Sequence, residues 1–225
     1  LATDSGVAGD GVTNVGTVNV TGVEAGASWE YAVNGGAFVA GSGTSFTLTG
    51  DGAKSVLVHQ TDAAGNVSAD ASLAFTLDTT VAAPPPVALA TDSGVAGDGV
   101  TNVGTVNVSS LEAGASWEYA VNGGAFVAGS GNSFMLTGDG PKSVLVHQTD
   151  AAGNVSGDAS LAFTLDTVTS DTITTSGGSV TSAAQTVQGT GEVGAKVQLL
   201  DGSNPLGTEV VVDSTGHWSA AVTLV

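Results

Sequence analysis

The chain has 225 residues, 21 Asp and Glu against 3 Lys and no Arg, and so a formal net charge of −18. A chain so poor in cations is unsuited to phosphate backbones and anionic lipid, which excludes nucleic-acid partners and direct membrane insertion. With no cysteine, disulfides and thiolate metal sites are closed to it, while 41% apolar residues argue against a disordered acidic tail.

The chain repeats itself. Leu1 to Asp78 aligns without a gap with Leu89 to Asp166, and 71 of the 78 positions are identical. The stretch Thr79-Thr80-Val81-Ala82-Ala83-Pro84-Pro85-Pro86-Val87-Ala88 joins the copies, and three consecutive prolines favour a semi-rigid extended spacer. Strand signals dominate. In the second copy they fall near 87–91, 105–110, 116–121, 125–128, 133–137, 143–148 and 160–165, with Trp117, Tyr119 and Val121 on one face. Asn122-Gly123-Gly124 and Gly138-Asp139-Gly140 supply reversals, whereas Val144-Leu145-Val146 is apolar on both faces and has no readable orientation. From Asp171 onward the sequence changes but stays rich in Val, Thr and Gly, with turns at Asp201-Gly202 and Asp213-Ser214-Thr215-Gly216.

Seven short strands and one Trp per copy predict an all-β protein of tandem immunoglobulin-like antiparallel β-sandwich domains joined by short proline-containing linkers. The expected domains are 1–82, 83–170 and a partial third, 171–225, lacking its last strands. Leu1 is expected to enter in mid-strand of a domain begun upstream.

Alternating the strands down and up gathers Asp4, Asp10, Asp51 and Asp78 at the lower end of the first copy. Glu112 and the loop 149–154, with Asp150, gather at the upper end of the second. Carboxylates ~6 Å apart repel by roughly 2–3 kcal/mol per pair at an effective dielectric of ~20, and a hard cation reverses that sign. Calcium accepts 6–8 oxygens from carboxylates and carbonyls, so interdomain Ca²⁺ is the expected cofactor, the alternative being that the acids only solvate the surface.

The stretches LDTTVAAPPPVALATDSGVAGDGVTN, TVNVTGVEAGASWEYAVNGG, TGDGAKSVLVHQTDAAGN and LAFTLDT cover nearly all of both copies. They resemble the bacterial Ig-like domains strung along giant RTX adhesins and biofilm-associated proteins exported by type I secretion. VQGTGEVGAKVQLLDGSNPLGT and DSTGHWSAAVTL resemble a neighbouring subtype. The resemblance implies a secreted, cell-surface, non-catalytic extender supporting adhesion or biofilm formation. Its neighbours would be further Ig-like domains, and other domains would meet the host or abiotic surface. It also implies Ca²⁺ ligands at Asp78, Asp4, Asp10 and Asp150, and at the next junction at Asp166, Asp92 and Asp98. The competing readings are a module that binds glycan or protein, and an accessory region of a secreted hydrolase.

Other motifs carry less. Gly189-Thr190-Gly191-Glu192-Val193-Gly194 matches a dinucleotide fingerprint, but another strand is expected after it where that site needs a helix. His59, His147 and His217 are single and scattered, and exposed strand positions are expected for them. No G-x-S-x-G occurs. Glu24 and Glu30 make an unpromising acid pair, because Glu30 alternates with Trp29. Trp29 and Trp117 are expected in the core.

Overall fold

The computed structural model describes residues 1–224, and these form strands and turns without a helix. The chain divides into two compact units, Leu1–Leu165 and Asp166–Val225. The first unit holds both copies. Repeat 1 carries β1 (Val12–Thr13), β2 (Thr17–Asn19), β3 (Ser28–Val33), β4 (Val39–Ala40), β5 (Ser45–Thr47), β6 (Gly52–Thr61) and β7 (Ala71–Leu77). Repeat 2 carries β8 (Val87–Leu89), β9 (Val100–Thr101), β10 (Thr105–Val108), β11 (Ser116–Val121), β12 (Val127–Ala128), β13 (Ser133–Met135), β14 (Gly140–Thr149) and β15 (Ala159–Leu165).

Repeat 2 is an immunoglobulin-like sandwich of one sheet ordered β13-β10-β8 and another ordered β12-β11-β14-β15-β9. All its pairs are antiparallel except β15 with β9. Its core draws Val106 and Val108 from the first sheet, and Trp117, Val144, Val146, Phe163 and Leu165 from the second. That settles the strand the sequence leaves unoriented: Val144 and Val146 point inward and Leu145 lies half-buried on the other face. Tyr119 of β11 stacks on Phe134 of β13, ring centroids 4.0 Å apart, and ties one sheet to the other. Each central Trp lies against a glycine, because a Cβ at Gly41 or Gly129 would fall within 2.3 Å of the ring of Trp29 or Trp117. Val33-Asn34-Gly35-Gly36 turns as its sequence demands: Asn34 and Gly35 have φ of 52° and 72°, and Gly36 N–H closes on Val33 C=O at 3.0 Å.

The second unit contains β16 (Asp171–Ile173), β17 (Ala184–Gly191), β18 (Lys196–Val197), β19 (Leu200–Asp201), β20 (Asn204–Pro205), β21 (Val210–Val211) and β22 (His217–Thr223). Its largest sheet is ordered β16-β17-β22. Trp218 sits in its core with Val197, Val212 and Ala220. The G-x-G-x-x-G run ends β17 and leads into β18, giving strand, turn and strand with no helix to hold a pyrophosphate.

Candidate functional site

The site is the seam between repeat 1 and repeat 2. The loop from Asp4 to Asn14 precedes and follows the short strand β1, which lies parallel to β7 (Val12 opposite Thr76, Thr13 opposite Leu77). Thr13 is fully buried and organises the loop. Its hydroxyl donates to Thr3 C=O at 3.1 Å, lies 2.9 Å from the Ser5 hydroxyl, and accepts from Val15 N–H at 3.1 Å. Asp78 N–H donates to Thr13 C=O at 2.9 Å, bringing the end of the last strand to the same pole.

Against this pole sits the loop 149–154 of repeat 2. Among the described residues, four hydrogen bonds cross. The Ser5 hydroxyl donates to Ala152 C=O (2.7 Å) and Val7 N–H donates to Ala151 C=O (3.0 Å). The Asn154 side-chain amide donates to Asp78 C=O (2.9 Å), and that of Asn14 donates to the Asn154 side-chain oxygen (3.3 Å). The backbones touch so closely that a Cβ on Gly6 would stand 2.1 Å from the Ala151 oxygen. Burial follows from this contact. Asp150, Ala152 and Asn154 are 8%, 1% and 8% exposed, whereas their counterparts Asp62, Ala64 and Asn66 in repeat 1 are more open.

The groups that cross are neutral, unlike the carboxylate-lined seam expected from the sequence. Asp150 explains the difference, since both its oxygens turn back into their own loop. Oδ1 accepts Asn154 N–H and Oδ2 accepts the Asn154 side-chain amide, each at 2.8 Å. Among the described residues no three His, Asp or Glu side chains converge to hold a metal ion. Asp10 and Asp98 are exposed and accept Val12 N–H and Val100 N–H at 2.8 and 2.9 Å. Asp78 accepts Thr80 N–H (3.0 Å), and Asp166, which opens the second unit, accepts Val168 N–H (3.3 Å). Asp4 and Asp92 stand apart. Oδ2 of each accepts Gly9 N–H or Gly97 N–H at 2.7 Å, but Oδ1 of each is buried without a hydrogen-bond partner. A buried, unsatisfied carboxylate oxygen that recurs in both copies is the chemistry a hard cation satisfies.

Sequence reasoning located the two loops but missed Ser5, Gly6, Asn14 and Asn154, the residues that make the contact. Their signal is faint, as Gly and small polar residues fill every loop of this chain. It also missed Asp51 as the fastener of the linker. Asp51 accepts Thr79 N–H and hydroxyl at 2.9 and 2.7 Å and the Thr80 hydroxyl at 2.5 Å, and these bonds hold its carboxyl below the ordinary range. Beyond it Ala82 and Pro85 are buried, so the spacer is packed down. His59 and His147 differ from the exposed positions expected of them. Each side chain is 14% exposed, lies 4.3 Å from Phe38 or Phe126, and meets two carboxylates: Glu30 and Asp70, or Glu118 and Asp158.

No protein family and no curated protein matches the chain. Among solved structures, it is similar to a tetra-tandem repeat in the extending region of a large adhesion protein. That match has 21% identity and a TM-score of 0.30, covering 92% of this chain and 61% of that one. It is also similar to the chicken CNTN1 FN1–FN3 domains at 10% identity and a TM-score of 0.28, covering 94% and 80%. The chain thus spans 61% of the adhesion-protein repeat's length, and at these scores neither likeness says anything of function.

Proposed function

We propose that this chain is a non-catalytic spacer from the extending region of a bacterial cell-surface adhesin, secreted and supporting adhesion or biofilm formation. The observation that carries the reading is the docked seam, in which consecutive, nearly identical sandwiches meet pole to pole through four hydrogen bonds and a backbone contact that excludes any side chain at Gly6. Duplication with a fixed joint supplies length. The strand order supports a mechanical role as well. The first strand β1 and the last strand β7 are parallel, joined by Thr76 N–H to Gly11 C=O and Asp78 N–H to Thr13 C=O at 2.8 and 2.9 Å. Tension applied along the chain at the two ends of the repeat loads these bonds together, in shear. A glycan platform has less support, because Trp29, Trp117 and Trp218 are 5%, 4% and 3% exposed.

Calcium belongs to the same proposal. Asp4 and Asp92 would lend their unsatisfied oxygens, with Asp10, Asp78 and the neighbouring carbonyls in repeat 1 and with Asp98 in repeat 2. Asp150 would act through its loop, which it holds in shape. The cation would neutralise the pole and stiffen it; the loop residues bind it, and no chemistry is performed. Pulling the full chain from its ends in millimolar Ca²⁺ tests both parts. Two matched unfolding steps of roughly 25–30 nm are expected, from about 88 residues at ~3.5 Å each less the folded length, at forces that fall with chelator or with Asp4→Asn and Asp92→Asn. Steps that do not match would contradict the spacer, and forces indifferent to calcium would contradict the cation.

A further inference from the structure

One turn in each repeat holds a reactive pair of residues. Of the ten asparagines in the chain, only Asn34 and Asn122 precede a glycine; the others precede Val, Ser or Pro. Glycine has no side chain to shield its backbone nitrogen, so that nitrogen can close on the asparagine side chain. The Gly35 nitrogen attacks Asn34 Cγ, the Cγ–Nδ2 bond breaks, and ammonia leaves with the proton the nitrogen gives up. Water then opens the succinimide ring, at Cγ to give aspartate or at the main-chain carbonyl to give isoaspartate. One water is consumed for each ammonia released.

The sheet restrains both asparagines in the same way. Asn34 Oδ1 accepts Ser55 N–H at 2.8 Å, and Asn34 Nδ2 donates to Ala53 C=O at 3.3 Å. Asn34 N–H donates to Ser55 C=O at 2.7 Å, so three bonds fix the residue to β6. Asn122 repeats the clamp on β14, with Ser143 N–H at 2.8 Å, Pro141 C=O at 3.3 Å and Ser143 C=O at 2.8 Å. Cyclisation has to swing the side-chain amide out of both its bonds, and to do so from a left-handed backbone with φ of 52° or 51°. Solvent meanwhile has free access. Gly35 and Gly123 are exposed, and a Cβ at either would meet open space.

We propose that Asn34 and Asn122 are latent deamidation sites, shut while β6 and β14 clamp the asparagine amide and released when the turn lifts off the sheet. The change is one-way. Aspartate sets an acceptor where Nδ2 donated, against the carbonyl of Ala53 or Pro141, and isoaspartate lengthens the main chain inside a two-residue turn. A repeat held open for long is thereby marked chemically and closes less well afterwards.

The test incubates the full chain in mildly alkaline buffer, folded and in denaturant, and follows Asn, Asp and isoAsp at positions 34 and 122 by peptide mapping. The folded chain should convert both at least roughly tenfold more slowly than the unfolded chain, because only the opened fraction reacts. Ser55→Pro removes the N–H that Asn34 Oδ1 accepts, a group aimed at Asn34 and not at β7. Position 34 should then convert several-fold faster, while position 122 in the same chain keeps the parent rate. Equal rates in folded and unfolded chain would overturn the proposal. So would a Ser55→Pro chain that melts like the parent yet converts position 34 no faster. Should Ser55→Pro lower the melting temperature, the comparison of folded with unfolded chain decides alone.

Discussion

Gly6 and Gly94 hold the same place in two copies of one loop, with φ of +72° and +78°, yet only Gly6 has a neighbour. A Cβ at Gly94 would meet open space, whereas at Gly6 it would collide with the backbone of Ala151, Ala152 and Gly153. Alanine at Gly94 should therefore cost only the left-handed backbone, about 1 kcal/mol. Alanine at Gly6 should cost ~1–3 kcal/mol more, from a clash that cannot relax while the seam stays closed. Thermal melts of the two single variants isolate the seam, because the loops are otherwise alike. Equal losses would mean that the repeats do not press on each other. Thr13 and Thr101 show the same economy of means: each is buried and uses its hydroxyl to shape an acidic loop from within.

The turns that fasten the strands depend on carboxylates kept ionised. Asp51 fixes the start of the linker through Thr80 and Thr79, Asp62 closes its loop on Asn66, and Asp213 closes the last turn on Thr215. All three carboxyls lie below their ordinary 3.8 in the folded chain. A depressed folded value stabilises the fold above the unfolded value and ceases to do so as pH falls through the folded one. Melting temperature should thus stay level from neutrality to about pH 4 and decline below it. Asp51→Asn should melt below the parent at neutral pH and converge on it in acid. A gap that does not begin to narrow as pH falls below about 4 would contradict this role. At this scale the sequence was most legible. Alternation and turn pairs located β8, β10, β11, β13, β14 and β15 to within a few residues, since half-buried strands with Asn-Gly reversals carry their own signal. The two-residue strand β9 was not legible. Val100 and Thr101 lie in a run that reads as loop, and their pairing with β15 is parallel and remote. The half-burial of His147 was hidden for a similar reason, as it comes from Phe126 just before β12 and from carboxylates 11 and 29 residues away.

For the molecule as a whole, the −18 charge keeps copies apart in solution but does not hold the repeats together. Cohesion comes from the neutral seam and the buried linker residues Ala82 and Pro85, and the acids ring a joint that they do not themselves form. Negative residues are conspicuous in the sequence, while Ser5, Gly6 and Asn154 have the composition of ordinary loop. That seam fixes repeats 1 and 2 to each other. The chain has no cysteine, so exposed Ser42 and Ser130 can be replaced by cysteine and spin-labelled without background. A single narrow distance distribution between the labels is predicted in millimolar Ca²⁺, and Gly6→Ala is predicted to broaden it. A broad distribution in the parent chain, with and without calcium, would contradict the fixed joint.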